Sequence, residues 1–292
     1  MSSEWANATV GGLTTAAMYG LVAAGFVVLF RATKVLSFAQ GAFMLIGTLL
    51  FYSFIKSAGL PLYLALILAL AASGLAGWLT YRFIFSYMVG AEPFVVAIAT
   101  LGLSAAFEAL AYIFWGTAPL TFPGVLSTQA HRLGPFNVTA VDIFSVGLAV
   151  VLGIAVAVGM RYSRIGIQMR ATADGQQLAA YRGIHVTRVS ALAWGVGAAL
   201  AGAGGIIYAL TNNLDPSSVP TVGLSVFPAI ILGGLDSYLG AFVGALLLGA
   251  LDSVIGVTLG GGWQDPVAYV ALLVVLLIRP RGLFGSREIV RI

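Results

Sequence analysis

The sequence predicts an all-α polytopic membrane protein with eight or nine transmembrane helices, some of them broken or re-entrant. Its N-terminus is expected outside and its C-terminus in the cytoplasm. Three observations predict this. Hydrophobic residues make up 60% of the 292 and charged residues only 8%, whereas a soluble domain carries about 25% charged residues. Apolar runs are spread evenly from residue 8 to residue 280. The basic residues stand at the ends of those runs, where a topology signal belongs. The even spread is read as one membrane domain over 1–292.

A membrane-crossing helix needs about 20 mostly apolar residues. Runs near 8–30, 35–55, 61–85, 93–115, 140–160, 188–211, 219–234, 238–258 and 265–280 qualify as candidates. The first run is expected to be retained rather than cleaved, because Glu4 precedes it and Arg31 and Lys34 follow it. The run 35–55 carries Ser37, Gln40, Gly41 and Gly47. The run 219–234 is short and holds Pro220, Gly223 and Pro228. Either reads as a full span or as a re-entrant segment, and the latter survives at depth only where protein or a wet cavity satisfies its backbone.

Orientation follows from the lysines and arginines. With nine spans and a cytoplasmic C-terminus, Arg31, Lys34, Arg82, Arg161, Arg164, Arg170, Arg182, Arg188, Arg279, Arg281, Arg287 and Arg291 fall inside. Only Lys56 and Arg132 fall outside, and Glu4, Asp142, Asp215 and Asp265 join them. The segment 161–188 is then the longest cytoplasmic stretch, and 116–139 is an external loop, either a connector or a docking surface.

Composition and motifs exclude several chemistries. There is no cysteine, so disulfides and thiolate chemistry are absent. His131 and His185 lie apart in polar segments and read as surface residues rather than metal ligands. The formal charge of +4 is no nucleic-acid stripe, because the arginines mark span ends. Lys34 and Lys56 follow Thr33 and Ile55, so the chain has no phosphate-binding P-loop. ATP, if used, is hydrolysed elsewhere.

Gly195, Gly197, Gly202, Gly204 and Gly205 crowd one run. Small residues let membrane helices approach closely, and no strand precedes them as a dinucleotide fingerprint would require. A faint internal echo relates the string from Gly41 to Gly47 to the string from Gly240 to Leu246, each after an irregular polar stretch. Paired broken segments of this kind occur in transporters.

In the cytoplasmic stretch, Asp174 is expected to cap a helix, with Gln177 three residues later as in a capping box. Gly183 stands at the C-terminal glycine position. Between them Leu178 and Tyr181 share a face. Two turns are marginal alone. The segment therefore reads either as a helix packed on its own membrane domain or as a lever plugged into a cytoplasmic ATPase. Glu108 and Asp252 lie inside apolar spans. Each reads as a structural hydrogen bond between helices or as a polar group on a translocation path.

The residues resemble the LivH-type permease of bacterial branched-chain amino-acid ABC transporters over nearly the whole chain. The resemblance is carried by Leu36-Ser37-Phe38-Ala39-Gln40-Gly41, by the stretch 170–184, by residues 229–240, which hold Gly233 and Gly234, and by Arg279-Pro280-Arg281-Gly282-Leu283-Phe284-Gly285. Two departures stand out. Ser37 and Gln40 replace the family's Asn and His, and Leu235-Asp236-Ser237 replaces its Gly-Ser. The resemblance implies a non-catalytic subunit of the inner (plasma) membrane that imports branched-chain amino acids. Relatives moving urea or short amides belong to the same family. It further implies a LivM-like second permease in a heterodimer, two ATP-binding cassette subunits and an external substrate-binding protein. ATP and Mg would sit on those partners, with no cofactor or metal on this chain. Ser37, Gln40, Glu108, Gly233, Gly234 and Asp252 are the candidate pathway residues. An ion-coupled secondary carrier, with Glu108 or Asp252 as its proton site, is the alternative from another class.

Overall fold

A computed structural model describes residues 2–122, 124–127, 129–279 and 282–285. The expected residues Pro280, Arg281, Arg287 and Arg291 lie outside the described residues.

The long helices are α1 (Ser2–Thr33), α2 (Gln40–Lys56), α3 (Leu62–Phe83), α4 (Pro93–Trp115) and α5 (Ala140–Tyr162). Two short helices follow, α6 (Arg164–Asp174) and α7 (Gln176–Tyr181). The chain then forms α8 (Val186–Asn212), α9 (Ser218–Ser225), α10 (Phe227–Gly233), α11 (Tyr238–Thr258) and α12 (Gln264–Ile278). Among the described residues, seven helices are long and apolar enough to cross a membrane, and α2 and the α9–α10 pair are shorter apolar segments. Each apolar run expected from sequence falls on one of these helices, with 219–234 divided between α9 and α10.

Helix α8 is the hub. It is buried along most of its length, including Trp194, Ala198 and Ile206 at 0% exposure, and it packs against α1, α2 and α3. Its glycines explain how one helix accommodates three neighbours. A Cβ at Gly202 would press on Gly47 of α2, and one at Gly197 would press on Gly25 of α1. Without a hydrophobic force between helices in lipid, such close backbone packing is the main source of association.

Helix α11 runs antiparallel to α1. Ser253 Oγ donates to the Ala8 carbonyl near one end, and the Arg31 guanidinium stacks on the Tyr238 ring at the other. In contrast, α4, α5 and α12 turn most of their surface outward, with Ile113, Val151 and Leu277 well exposed. In a membrane those faces meet lipid or another subunit.

Two local findings amend the sequence reading. The loop 116–139 is not wholly irregular: strands β1 (His131–Leu133) and β2 (Phe136–Val138) form an antiparallel hairpin, pairing His131 with Val138. Gly134, at φ +64°, makes its turn. The Asn137 amide donates to Asn7 Oδ1 at 3.2 Å, which ties the hairpin to the start of α1. The capping box lies not at Asp174 but at the head of α5. There Thr139 Oγ1 accepts from the Asp142 amide, and the Asp142 carboxylate accepts from the Thr139 amide. Asp142 also accepts from Thr14 Oγ1 at 2.8 Å, joining α5 to α1.

Candidate functional site

Helix α1 ends at Thr33, and the next six residues are irregular before α2 begins at Gln40. Lys34 holds φ +57°, a strained value for a non-glycine residue, and so turns the chain sharply inward. Part of the stretch that follows is buried: Ser37 and Ala39 are 0% exposed and Gln40 is 1% exposed, while Leu36, between Lys34 and Ser37, is exposed. Gln40 lies beside Gly25 and Gly197, well inside the ends of α1 and α8. Its Nε2 donates to the Gly197 carbonyl at 3.2 Å and reaches the Val22 carbonyl at 3.5 Å. The Phe38 amide donates to Thr100 Oγ1 of α4 at 3.0 Å. This is irregular backbone in a helical bundle whose freed groups are met by neighbours, the condition for such a segment at membrane depth.

The second discontinuity faces the first. Helix α9 stops at Ser225 and α10 starts at Phe227. A Cβ at Gly41 would press on the Pro220 backbone, and one at Gly223 would press on Gly41. The Phe227 ring stacks on Phe38 at 5.3 Å and meets Phe26 edge-on at 5.2 Å. The broken helix and the irregular entry to α2 thus form one contact, the arrangement in which transporters place their pathways. Two polar atoms here have no hydrogen-bond partner among the described residues, Ser37 Oγ and Gln40 Oε1. Leaving them so costs about 1–3 kcal/mol each, so the site keeps hydrogen-bonding capacity in reserve.

The other expected pathway residues are distributed. Glu108 is half-buried on α4 and accepts from Ser104 Oγ at 3.0 Å, one turn away on its own helix. Asp252 is half-buried on α11, where its main-chain carbonyl accepts from Gln264 Nε2 at 3.0 Å. Among the described residues, neither carboxylate is hydrogen-bonded to Ser37 or Gln40. Gly233 and Gly234 close α10 in a tight knot. The Leu283 amide donates to the Leu232 carbonyl and the Phe284 amide to the Gly233 carbonyl, at 2.8 and 3.1 Å. Gly234 holds φ +106° there. Residues that sequence reasoning did not single out for the pathway are Thr100, Phe38 and Phe227. Thr100 gave no signal, because a lone threonine in an apolar run reads as neutral.

The segment after α5 differs from its expected form. Asp174 does not cap a helix; it is the last residue of α6. Gly175 takes the N-cap position of α7, and no side chain caps that end. The reason lies about three turns earlier: Ser163 caps α6 through the Gly166 amide at 2.9 Å, which starts a helix before Asp174 is reached. The C-terminal expectation holds in full. Gly183 has φ +80°. Its amide donates to Ala180 and the Ile184 amide to Ala179, the two bonds of a Schellman motif. Ala179 anchors α7 inward at 3% exposure, while Leu178 and Tyr181 project at 72% and 88%. Asp174, Gln177 and Gly183 are exposed as well. A cavity of about 540 Å³ joins this segment to the first discontinuity, lined by Gln176, Leu178, Lys34, Val35 and Trp194 among others.

Comparison with known proteins bears on this geometry. The family described as "Branched-chain amino acid transport system / permease component" matches residues 8–278. LivH of Salmonella typhimurium and LivH of Escherichia coli, each named a high-affinity branched-chain amino acid transport system permease protein, are 24% identical over 295 residues. Both alignments cover 96% of this chain and 96% of the relative. BraD of Pseudomonas aeruginosa, named in the same way, is 26% identical over 298 residues, covering 97% of this chain and 96% of its own. With a match running from α1 to the end of α12, the chain belongs to the family of branched-chain amino acid transport permeases, and is a multi-pass membrane protein of that kind.

Proposed function

We propose that this chain is the permease subunit of a bacterial ABC importer, moving branched-chain amino acids across the inner membrane with ATP hydrolysed by partner subunits. It forms one membrane domain over 1–292, its N-terminus outside and its C-terminus in the cytoplasm. Helix α2 and the α9–α10 pair complete nine crossings. The partners are a second, LivM-like permease, two ATP-binding cassette subunits that hold ATP and Mg, and an external substrate-binding protein. This chain holds no cofactor or metal of its own.

The observation that carries the reading is α7. It is short, anchored by Ala179, stopped by Gly183, and presents Leu178 and Tyr181 to whatever lies beyond the bundle. A chain with no P-loop needs force from outside, and this is the surface that would receive it. The cavity from Leu178 to Lys34 gives a shift of α7 a short route to the irregular stretch holding Ser37 and Gln40. The pathway is formed where that stretch meets α9–α10. Orientation is supported by the basic ends of α1 and α5 lying together with α6, and by Asp142 and the hairpin lying at the opposite end.

The deciding experiment is uptake of radiolabelled leucine into proteoliposomes, with and without the ATPase subunits, the binding protein and ATP. Uptake needs all of them. Glu108→Gln and Asp252→Asn retain it, and a proton gradient alone drives none. Uptake by the isolated chain on a proton gradient, lost in either variant, would replace this reading with a secondary carrier. Single-cysteine labelling in this cysteine-free chain tests orientation: position 176 reacts only from the cytoplasmic side.

A further inference from the structure

We propose that the groove between α1, α5 and α11 binds an anionic phospholipid of the cytoplasmic leaflet, its phosphate held by Arg31, Arg161 and Arg170. The leaflet assignment rests on the orientation given above. The groove has a volume of about 650 Å³. Its walls are small or apolar along their length, with Ala16 and Ala24 on α1, Ala149, Gly153 and Ala157 on α5, and Phe242 on α11. Along α1 the lining runs from Leu13 to Arg31, about 27 Å at the helical rise. That is close to the roughly 30 Å of a bilayer's hydrocarbon core, so the half nearest Arg31 has room for an acyl chain.

The charge is all at one end. Arg31, Arg161, Arg170 and Tyr238 gather there, and among the described residues that line the groove none is a carboxylate. The Arg31 guanidinium lies 5.1 Å from the centre of the Tyr238 ring. An Arg170 Nη2 donates to the main-chain carbonyl of Arg161 at 3.3 Å, which holds the two arginines together without neutralising either. The Tyr238 hydroxyl is buried at the same mouth, beside the Arg31 guanidinium. Three cations gathered at one mouth repel one another. A phosphodiester resolves this, because its oxygens accept paired N–H bonds from guanidinium forks. Basic pockets between membrane helices on the cytoplasmic side bind anionic headgroups in this way. A helix of a partner permease could cover the small-residue walls, but an apolar helix supplies no anion for the arginines. Charge complementarity therefore favours lipid.

The test is native mass spectrometry of the full chain, extracted with whatever subunits accompany it and titrated with phosphatidylglycerol and phosphatidylethanolamine of identical acyl chains. Phosphatidylglycerol should be retained in preference by about tenfold or more. Arg31→Gln/Arg161→Gln/Arg170→Gln should bind the two lipids alike. Arg161→Gln alone, at an exposed position, should shrink the preference if the triple variant fails to insert. Ala157→Phe should weaken both lipids by filling the groove. A photoreactive residue at position 150 should capture lipid. Equal retention of the two lipids by the native chain would overturn the proposal, as would capture of another polypeptide from position 150. Labelling of a cysteine at position 161 from outside intact cells would overturn the leaflet assignment.

Discussion

Replacing Leu178 by Asp should separate two quantities that mutations in membrane proteins usually confound, folding and coupling. Leu178 is 72% exposed on α7, and surface changes at such positions alter stability by no more than about 0.5 kcal/mol. The protein should therefore insert and be extracted in normal amounts. Complete burial of a leucine side chain is worth about 1.5–3 kcal/mol. With most of the side chain still free, a docking partner has roughly 1–2 kcal/mol left to gain from covering it. Losing that weakens docking by about 5–30-fold, and a carboxylate placed in the contact costs more. Tyr181, one turn away at 88% exposure, belongs to the same contact. Tyr181→Ala should therefore act in the same direction, and the pair should combine non-additively. The assay is co-purification of the ATPase subunits with a tagged permease, read beside ATP-driven leucine uptake. Full co-purification together with full uptake in Leu178→Asp would refute the coupling role of α7.

Three further outcomes are expected. Gly41→Val should cost about 1–3 kcal/mol by overpacking, because any Cβ there meets the Pro220 backbone, while Gly102→Ala, with nothing within 4 Å of the added carbon, should be near neutral; melting of the purified protein separates the two. Asp142→Ala removes the capping box of α5 and its bond to Thr14, and should cost about 0.5–2 kcal/mol in the same measurement, with Asp142→Asn milder. Asp215 titrates below the usual carboxylate range because the Ser218 and Ser217 hydroxyls and the Ser217 amide donate to it. A carboxyl with a depressed native pKa stabilises above its unfolded value and loses that contribution as pH falls through the native one. The melting temperature should therefore drop on acidification below about pH 4, and Asp215→Asn should flatten that acid limb in a pH series.

The helical runs were legible because their punctuation is local. Pro61 and Pro93 stand at helix starts, Gly116 and Gly183 at helix ends, and Arg31, Arg82 and Arg161 in last helical turns. The two weak runs were also readable as irregular, since Pro220, Gly223 and Pro228 break any single helix. Their mutual contact was not readable, because nothing near Gly41 encodes its meeting with Pro220 some 180 residues later. The same holds for the arginine mouth. Arg31, Arg161 and Arg170 read as topology markers one by one, and become a cluster only when α1, α5 and α6 converge. Asp174 failed for a different reason. It is a sound cap by residue type, but Ser163 upstream starts a helix first, and a residue already inside one helix cannot cap the next.

The knot at Gly233 and Gly234 has a bearing on biosynthesis. Leu232 and Gly233 leave the ribosome well before Leu283 and Phe284 do, yet their carbonyls are met by the amides of those later residues. Until synthesis reaches that point, the end of α10 lacks the amides that meet those two carbonyls. The broken helix opposite Phe38 thus reaches its settled form only after the last long helix has been made. A chain stopped after α12 but short of Leu283 would carry every apolar span and still lack this closure.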